Sequence, residues 1–345
     1  MLADLPVPLD LAPMEAKLVD EVPRDEGWRF EPKWDGFRCL AYRAGDEVLL
    51  KAKSGKPLNR FFPDVVAALL ALHVDRFVVD GELTIAVDGE LSFEALQMRL
   101  HPAASRVNKL AAEQPAVLVL FDSLMDAKGA SLVDAPLSVR RKALEALAKR
   151  FGKAAVVRLS PGTADRAEAC GWLDEVGAAL DGVVAKRVDG PYVAGERAML
   201  KIKRIRTADC VVGGFRYEHD SRLVGSLLLG LYDKAGKLDH VGFTSTISDA
   251  ERPELTRRLE KLAGGEGFSG DAPGGPSRWS TDRTGQWVAL RPELVVEVRY
   301  DQVTGDRFRH GTRLVRWRPD KAPRQCTFDQ LTREAAPAAL AKRLA

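Results

Sequence analysis

Lys33 lies in the stretch RFEPKWDGFRCLAYR (29–43), between a proline and a tryptophan, where a residue that is rarely buried is unexpected. An amine attacks phosphorus or a carbonyl carbon only when it is deprotonated, so an amine nucleophile needs burial or neighbouring cations to lower its pKa. Lys201 and Lys203 in LKIK are two such cations, since alternate residues of a strand share one face. The same alternation predicts that Asp35 projects from the same face as Lys33. These residues could place an amine nucleophile beside a phosphate.

The candidate metal ligands are carboxylates in two Asp-Gly elements. Asp80 and Glu82 lie in VVDGEL and Asp181 lies in LDGVVAK, next to β-branched residues, which predicts carboxylates at strand ends. Two carboxylates that face a phosphate can hold Mg²⁺ through oxygen ligands and waters. Phe121 in LVLFDSL ends a buried strand, where an aromatic face could stack on a purine. Taken singly, the Asp-Gly elements could be turns, Phe121 could be a core residue, and the lysines could lie on a solvated strand face. The hypothesis of a phosphate site therefore depends on the whole set of residues in its order along the chain.

Strand-like and helix-like runs mix through the first part of the chain without the regular period of a doubly wound sheet. WRFEPKW, FRCLAYRA and EVLLKAK predict strands, and RFVVDGELTIAV predicts a hairpin-like pair of strands. Apolar residues at helical spacing in FPDVVAALLALH and PLSVRRKALEALAKRF predict helices. We therefore predict an α+β fold with antiparallel sheets and flanking helices.

The pattern changes near residues 204–207, which places a domain boundary there and predicts domains over 1–205 and 206–345. The second part contains mostly β-like runs and one helix, DAERPELTRRLEKL. About five strands and one helix suit a small closed β-barrel of the oligonucleotide-binding (OB) type. Its segment 307–321 holds five arginines and one lysine against one aspartate. This charge is typical of a phosphate-contacting surface and equally of a protected edge strand.

Composition excludes several protein classes. The chain has 345 residues, 46% of them hydrophobic and 29% charged, with a formal net charge of +3, which predicts a soluble globular protein. No apolar run is long enough to span a bilayer, and the first residues lack the pattern of a signal peptide. The four cysteines include no CxxC pair, which argues against structural zinc and a disulfide framework. We therefore expect a cytoplasmic location.

Six segments follow the order and approximate spacing of the motifs of the covalent nucleotidyltransferases, and within that superfamily the chain resembles the ATP-dependent DNA ligases. In chain order they are KWDG (33–36), DGEL (80–83), LFDSL (120–124), LDGVVAK (180–186), LKIK (200–203) and RWRPDK (316–321). The phrases KWDGFRC and RTADCVVGGFRY are most similar to the small bacterial ligases called ligase C. The resemblance implies a nucleotidyltransferase (adenylation) domain followed by an OB-fold domain.

The resemblance also implies a role for each matching residue in a reaction with ATP. Lys33 would attack the α-phosphate, release pyrophosphate and carry AMP, which would pass to the 5′-phosphate of a nick before the 3′-hydroxyl displaces it. Glu31 would lie beside adenine, and Phe121 would stack against the base. Asp35 and Arg38 would serve the later steps, with Arg38 near the nick phosphate.

The phosphate and metal roles fall on the later motifs. Glu82 would meet the ribose and a metal, and Asp181 would hold Mg²⁺, for which Mn²⁺ can substitute. Lys201 and Lys203 would grip the α-phosphate.

The last motif lies in the predicted barrel domain. Arg318, Asp320 and Lys321 would orient the pyrophosphate leaving group once that domain closes over the site. The implied partners are nicked duplex DNA and, in repair, a primase-polymerase. We expect a monomer, associated with the nucleoid and with no membrane partner.

Three positions depart from the family pattern. Lys53 in AKSG stands where an arginine is usual, which keeps the charge but loses the bidentate fork. Asp181 stands where many relatives carry glutamate. Arg197 is the nearest match to the arginine that precedes the fifth motif, and it lies closer to Lys201 than that pattern suggests. The resemblance nevertheless implies that Lys53 and Arg197 are among the residues that bind the nucleotide.

Two other classes of function remain open from the sequence. An RNA ligase or a GTP-using capping guanylyltransferase would carry similar motifs, although the closest phrases resemble bacterial DNA ligases. A non-catalytic barrel protein would bind nucleic acid through its basic surface with strong salt dependence. That alternative leaves Lys33, Glu82, Asp181 and the LKIK lysines without a role.

Overall fold

The structure is a computed structural model that describes residues 1–152, 156–174, 180–203, 206–274, 286–301, 303–309 and 311–331. The described residues fall into two compact units, the first within residues 1–203 and the second within residues 206–331. Within these ranges, no helix combines the length and apolar character needed to span a membrane.

The first unit is built from two sheets with helices around them. Its strands are β1 (Ala16–Val19), β2 (Trp28–Trp34), β3 (Phe37–Ala44), β4 (Glu47–Ala52), β5 (Arg76–Val87), β6 (Glu90–Leu91), β7 (Ala116–Ser123), β8 (Val157–Leu159), β9 (Leu180–Arg187) and β10 (Met199–Ile202). Its helices are α1 (Pro63–Leu70), α2 (Phe93–Arg99), α3 (Ala104–Glu113), α4 (Leu137–Phe151) and α5 (Arg166–Asp174). One sheet has the order β1-β10-β9-β2, and the other has the order β4-β3-β5-β7-β8 with β6 paired to β5.

The two sheets pack against each other through alternating apolar side chains. Val119 of β7 shares a buried cluster with Val183 of β9 and Ile202 of β10. The next residue, Leu120, points to the opposite face and packs with Leu144 of α4 in another cluster. This alternation along one strand is the period-two pattern of a strand covered on both faces. The space between the sheets is therefore a possible location for a site.

The segment RFVVDGELTIAV is a single strand, β5, and the predicted hairpin-like pair is wrong. β5 pairs antiparallel with β3 on one side and with β7 on the other, so ladder hydrogen bonds on both edges outweigh the turn preference of Asp-Gly. Asp80 and Glu82 consequently lie in the middle of a central strand and not at a strand end. A register shift against β7 occurs between Asp80 and Gly81.

The second unit is mostly antiparallel β-structure. Its strands are β11 (Arg206–Tyr217), β12 (Val224–Tyr232), β13 (Leu238–Thr244), β14 (Val288–Ala289), β15 (Val295–Tyr300), β16 (Val303–Thr304), β17 (Arg307–Phe308) and β18 (Arg313–Trp317), and its helix is α6 (Arg252–Glu260). The main sheet has the order β13-β12-β11-β15-β18, with β14 paired to β11, and β16 and β17 form a separate ribbon. A buried cluster of aliphatic and aromatic residues, including Phe215 and Leu228, forms its core.

His240 in β13 gives the second unit a pH-dependent stability. Burial, followed by the charges of Arg307 and Arg216, lowers the pKa of His240 from 6.5 to about 4. Between these two values the unfolded chain binds more protons than the folded chain, so stability is lost as pH falls from about 6.5 toward 4. We expect His240→Gln to remove at most about 3 kcal/mol of this pH dependence.

Urea unfolding of the wild type and of His240→Gln, at several pH values between 4 and 7, measures how the free energy of unfolding depends on pH. His73→Asn, at an exposed position of the first unit, is the control and should leave the pH dependence unchanged. Parallel pH profiles for the wild type and His240→Gln would contradict the prediction.

Candidate active site

A cavity of about 230 Å³ lies between the two sheets of the first unit. Strands β2, β9 and β10 of one sheet and β3, β5 and β7 of the other contribute side chains to its wall. The lining residues that the sequence singled out are Glu31, Lys33, Arg38, Lys53, Glu82, Phe121 and Lys201. The structure therefore brings residues from four of the six motifs, together with Lys53 of AKSG, to one place.

Lys33 occupies an irregular position in β2. The register between β2 and β9 shifts between Pro32 and Trp34, so Lys33 is left out of the regular ladder. The Lys33 ammonium forms an ion pair with one oxygen of Asp181, and the Nζ of Lys203 lies 3.0 Å from the other oxygen. The Asp181 side chain is only 8% exposed, so this carboxylate holds two amines in a protected location.

Two glycines allow the backbone to approach closely around Lys33. Gly182 has φ +133°, and a Cβ there would lie 2.0 Å from the carbonyl oxygen of Ile202. A Cβ on Gly36 would lie 2.1 Å from the carbonyl oxygen of Leu83, so the tight approach expected at Gly36 is present. The strand-face argument for Asp35 is wrong, because β2 ends at Trp34 and Asp35 lies in the turn before β3.

The amines in the cavity influence one another. Burial lowers the pKa of Lys201, and the positive charges of Lys33, Lys203 and Lys53 lower it further. Several cations around one space attract a polyanion such as a chain of phosphates.

Glu82 faces this cluster from β5. Burial raises the pKa of Glu82 from 4.5 to about 7, against the opposing effects of Arg38 and Lys33. Among the described residues, no group of three or more His, Cys, Asp or Glu side chains is arranged to hold a metal ion. Mg²⁺ does not need such a group, because it is commonly held by one or two carboxylates, substrate phosphates and waters. A cation beside Glu82 would favour its ionised form, so Glu82 fits as one ligand of such a Mg²⁺ ion, and the other candidate is Asp181, whose oxygens pair with Lys33 and Lys203.

Phe121 of β7 also lines the cavity, next to two cations. The guanidinium carbon of Arg38 is 4.6 Å from the ring centroid, and the Nζ of Lys186 is 4.5 Å from it. Lys186 also pairs with Glu31, with Nζ 2.6 Å from Oε2. Glu31 is 2% exposed and has Arg29 as a further neighbour at 3.5 Å, so its charge is compensated by cations.

Arg38 is held by a buried hydrogen-bond network. Its Nε and Nη2 each donate to an oxygen of Asp80 at 2.6 Å. The Tyr192 hydroxyl donates to the same carboxylate at 2.6 Å and accepts from the Met14 N–H at 3.0 Å. Although burial opposes it, the Asp80 charge raises the pKa of Arg38, so Arg38 is a fixed cation at the edge of the cavity.

Glu15 pairs with Lys53 and Arg197, the two cations that depart from the family pattern. The Nζ of Lys53 lies 3.0 Å from one oxygen of Glu15, and the Nε of Arg197 lies 4.0 Å from the other. The Lys53 side chain is 60% exposed and lines the cavity, whereas that of Arg197 is 74% exposed. An exposed pair at this distance holds Arg197 weakly.

The three residues of the last motif lie in the second unit. Arg318 donates to both Asp320 and Asp209, with 2.8 Å between Arg318 Nη1 and Asp209 Oδ1. Lys321 Nζ lies 2.7 Å from the other oxygen of Asp209. The structure therefore brings Arg318, Asp320 and Lys321 together around Asp209.

Both units match profiles of one protein family. Residues 13–203 match the ATP dependent DNA ligase domain, which covers more than half of the chain. The chain belongs to the ATP-dependent DNA ligases. Residues 220–321 match the ATP dependent DNA ligase C terminal region, so the ligase carries both family domains. The resemblance drawn from the motifs is confirmed.

Relatives named DNA ligase C align with this chain over almost its whole length. The ligase is 44% identical to DNA ligase C1 of Mycolicibacterium smegmatis over 340 residues, which is 95% of each chain. It is 43% identical to DNA ligase C of Mycobacterium tuberculosis over 345 residues, which is 95% of this chain and 96% of that protein. A solved Lig E DNA ligase superposes with a TM-score of 0.56 at 16% identity, covering 88% of this chain and 99% of that one, which supports the fold.

Sequence reasoning missed three polar residues of the ligase that hold the motif residues in place. They are Lys186 beside Glu31, Tyr192 beside Asp80, and Asp209 beside Arg318. Lys186 had a local signal, because it is a lysine within the apolar run of β9. Tyr192 and Asp209 had none, because their partners lie 112 and 109 residues away along the chain.

Tyr192→Phe should destabilise the first unit. The change removes a hydroxyl that is buried with its ring 3% exposed, and it leaves the Met14 N–H and an Asp80 oxygen without that partner. We expect a loss of about 1–3 kcal/mol in the free energy of unfolding. Urea unfolding measures it, and Tyr217→Phe, which removes an exposed hydroxyl bonded to Glu260, is the matched control. Equal stability of the two variants would contradict the role of the network.

Proposed function

We propose that this ligase seals nicks in duplex DNA through a lysyl-AMP on Lys33 and a DNA-adenylate. In the first step the Lys33 amine forms a bond to the α-phosphorus of ATP, the bond to the β-phosphate oxygen breaks, and pyrophosphate leaves. An oxygen of the DNA 5′-phosphate then takes AMP from Lys33. The 3′-hydroxyl finally attacks that 5′-phosphate, loses its proton and displaces AMP.

The observation that carries this proposal is the setting of Lys33. Its side chain lies at a strand irregularity in a cavity that Lys201 and the ring of Phe121 also line. Its amine is paired to the protected Asp181, which also binds Lys203. In-line placement and fixed charges are what a phosphoryl-type transfer requires. No solvated surface lysine needs such surroundings.

The other motif residues are assigned to two parts of ATP, the adenine base and the phosphates. We assign Glu31 and Phe121 to the adenine, and Lys201 and Lys203 to the α-phosphate. We assign Arg38, which Asp80 fixes, to the nick phosphate, and we assign Asp35 to the later steps with it.

Glu82 and Asp181 are the proposed holders of Mg²⁺. Mg²⁺ when bound neutralises phosphate charge and polarises the phosphorus for attack. Lys53 contributes a further positive charge at the phosphate end, with Glu15 restraining it. We assign no direct contact to the exposed Arg197.

The second unit is proposed to be an OB-fold that carries Arg318, Asp320 and Lys321 to the pyrophosphate. The support is its antiparallel sheet, in which β11 pairs with β12, β14 and β15. Domain closure for the first step and reopening for DNA is the motion this implies.

We also propose that the ligase acts in DNA repair as a monomer, beside a primase-polymerase that fills short gaps. The relatives named DNA ligase C support this assignment by similarity. Ligation of gapped duplexes with and without such a polymerase tests it, and absence of stimulation would count against it.

The decisive test of the proposed chemistry is covalent capture. The protein is incubated with α-labelled ATP and Mg²⁺, denatured, digested and mapped, with labelled GTP in parallel. We expect label on the peptide that contains Lys33, preference for ATP, and release of label when nicked DNA is added. Lys142→Ala, at an exposed position of α4, should label normally. DNA binding without covalent label would instead support a non-catalytic binding protein.

A further inference from the structure

Asp209 in β11 binds two cations with one carboxylate. Arg318 Nη1 lies 2.8 Å from Oδ1 and Lys321 Nζ lies 2.7 Å from Oδ2. The Asp209 side chain is 11% exposed, and those of Arg318 and Lys321 are 18% and 23% exposed. Because the contacts are partly shielded from water, this pair of interactions is stronger than a surface ion pair.

The backbone of Asp209 is itself fixed. Its N–H donates to Gln330 Oε1 at 2.9 Å, and Gln330 Nε2 donates back to its carbonyl oxygen at 3.1 Å. In the ladder with β15, Asp209 lies opposite Glu297. The carboxylate therefore projects from a rigid strand that is restrained on both sides.

The two cations keep donors for another ligand. A guanidinium has five N–H groups. Arg318 directs its Nε and Nη2 to Asp320 and its Nη1 to Asp209, so within the described part of the chain one N–H on each terminal nitrogen remains. An ammonium has three donors, and Lys321 directs one of them to Asp209. The free donors of both groups are held close together, which is the arrangement that a diphosphate requires.

We propose that Asp209 is a positioning residue, which holds Arg318 and Lys321 in register for the pyrophosphate group. This inference rests on the proposed role of those two cations in the first step. Without the carboxylate, each long side chain samples more rotamers and the two cations repel each other. The reaction that expels pyrophosphate then slows, whereas a reaction that involves no pyrophosphate does not.

Asp209→Asn is the direct test, since it keeps the shape of the side chain and its backbone contacts. We expect the rate of covalent nucleotide transfer from labelled ATP to fall on the order of 10- to 100-fold. In the reverse reaction, the KM for pyrophosphate should rise. Sealing of a nick that already carries 5′-adenylate should change by less than about twofold. Asp209→Glu, which restores the charge, should recover part of the transfer rate.

Matched variants separate this inference from the proposed function. Glu254→Gln removes an equal charge at an exposed position of α6 in the same unit and should leave nucleotide transfer near the wild-type rate. Loss of transfer in Arg318→Ala and Lys321→Ala, with normal transfer in Asp209→Asn, would overturn the positioning role alone. Normal nucleotide transfer in all three of these variants would contradict the proposed role of Arg318 and Lys321 in binding pyrophosphate. An equal fall in transfer and in pre-adenylated sealing, with a lower Tm, would make Asp209 merely structural and overturn the inference.

Discussion

Lys33→Ala should abolish covalent nucleotide transfer and sealing with ATP, while a nick that already carries 5′-adenylate is still sealed at a measurable rate. The alanine has no amine to form the bond to the α-phosphorus, and no other cavity amine shares the position of Lys33 at the strand irregularity. Loss of a nucleophile costs several orders of magnitude in rate. Sealing of pre-adenylated DNA needs no nucleophile from the protein, so it isolates the last step.

Two comparisons make this result specific. Lys33→Arg keeps the positive charge without a usable nucleophile and should also fail in nucleotide transfer. Lys142→Ala should transfer and seal as the wild type does. Covalent label that persists on Lys33→Ala would place the nucleophile elsewhere and exclude the proposed first step.

Asp181→Asn should reduce nucleotide transfer by about 10²- to 10³-fold. Its carboxylate is the shared partner of Lys33 and Lys203, so an amide leaves two amines repelling each other without a counter-charge. It also removes one of the two proposed Mg²⁺ ligands. Asp181→Glu restores the charge, so we expect it to recover much of the rate.

Single-turnover transfer from labelled ATP over a range of Mg²⁺ concentrations measures this effect. If the metal role contributes, high Mg²⁺ should partly restore Asp181→Asn, whereas lost positioning of Lys33 should not respond. Asp189→Asn, whose side chain is 69% exposed in a pair with Arg187, is the matched control and should be near wild type. A transfer rate for Asp181→Asn equal to this control would rule out both roles.

The order of motifs in the sequence grouped several residues that the structure brings to one cavity. Lys33, Glu82, Phe121 and Lys201 are spread over much of the first unit and line one cavity. The domain boundary near residues 204–207 stays a prediction, and the described residues fall into units within 1–203 and 206–331. Local strand-like apolar patterns correctly indicated β3, β4 and β7.

Features that depend on neighbouring strands could not be predicted. Asp80 and Gly81 read as a turn, yet β3 and β7 keep them extended by pairing on both sides. The position of Asp35 followed from assuming that β2 continues past Trp34, whereas the strand ends there. Tyr192 and Asp209 matter through partners that are distant in sequence, and no local pattern encodes such a contact.

The division of the cavity between two sheets separates two properties of the enzyme. Lys33, Asp181 and Lys201 belong to strands of one sheet, whereas Phe121 and Glu82 belong to the other. Backbone hydrogen bonds within one sheet therefore connect the proposed nucleophile and the proposed phosphate ligand Lys201, whereas Phe121 meets them from the other sheet through contacts such as the bond from Lys186 Nζ to the Phe121 carbonyl oxygen at 3.3 Å. A substitution of the Phe121 ring can consequently alter stacking on a base while the backbone ladder around Lys33 stays intact.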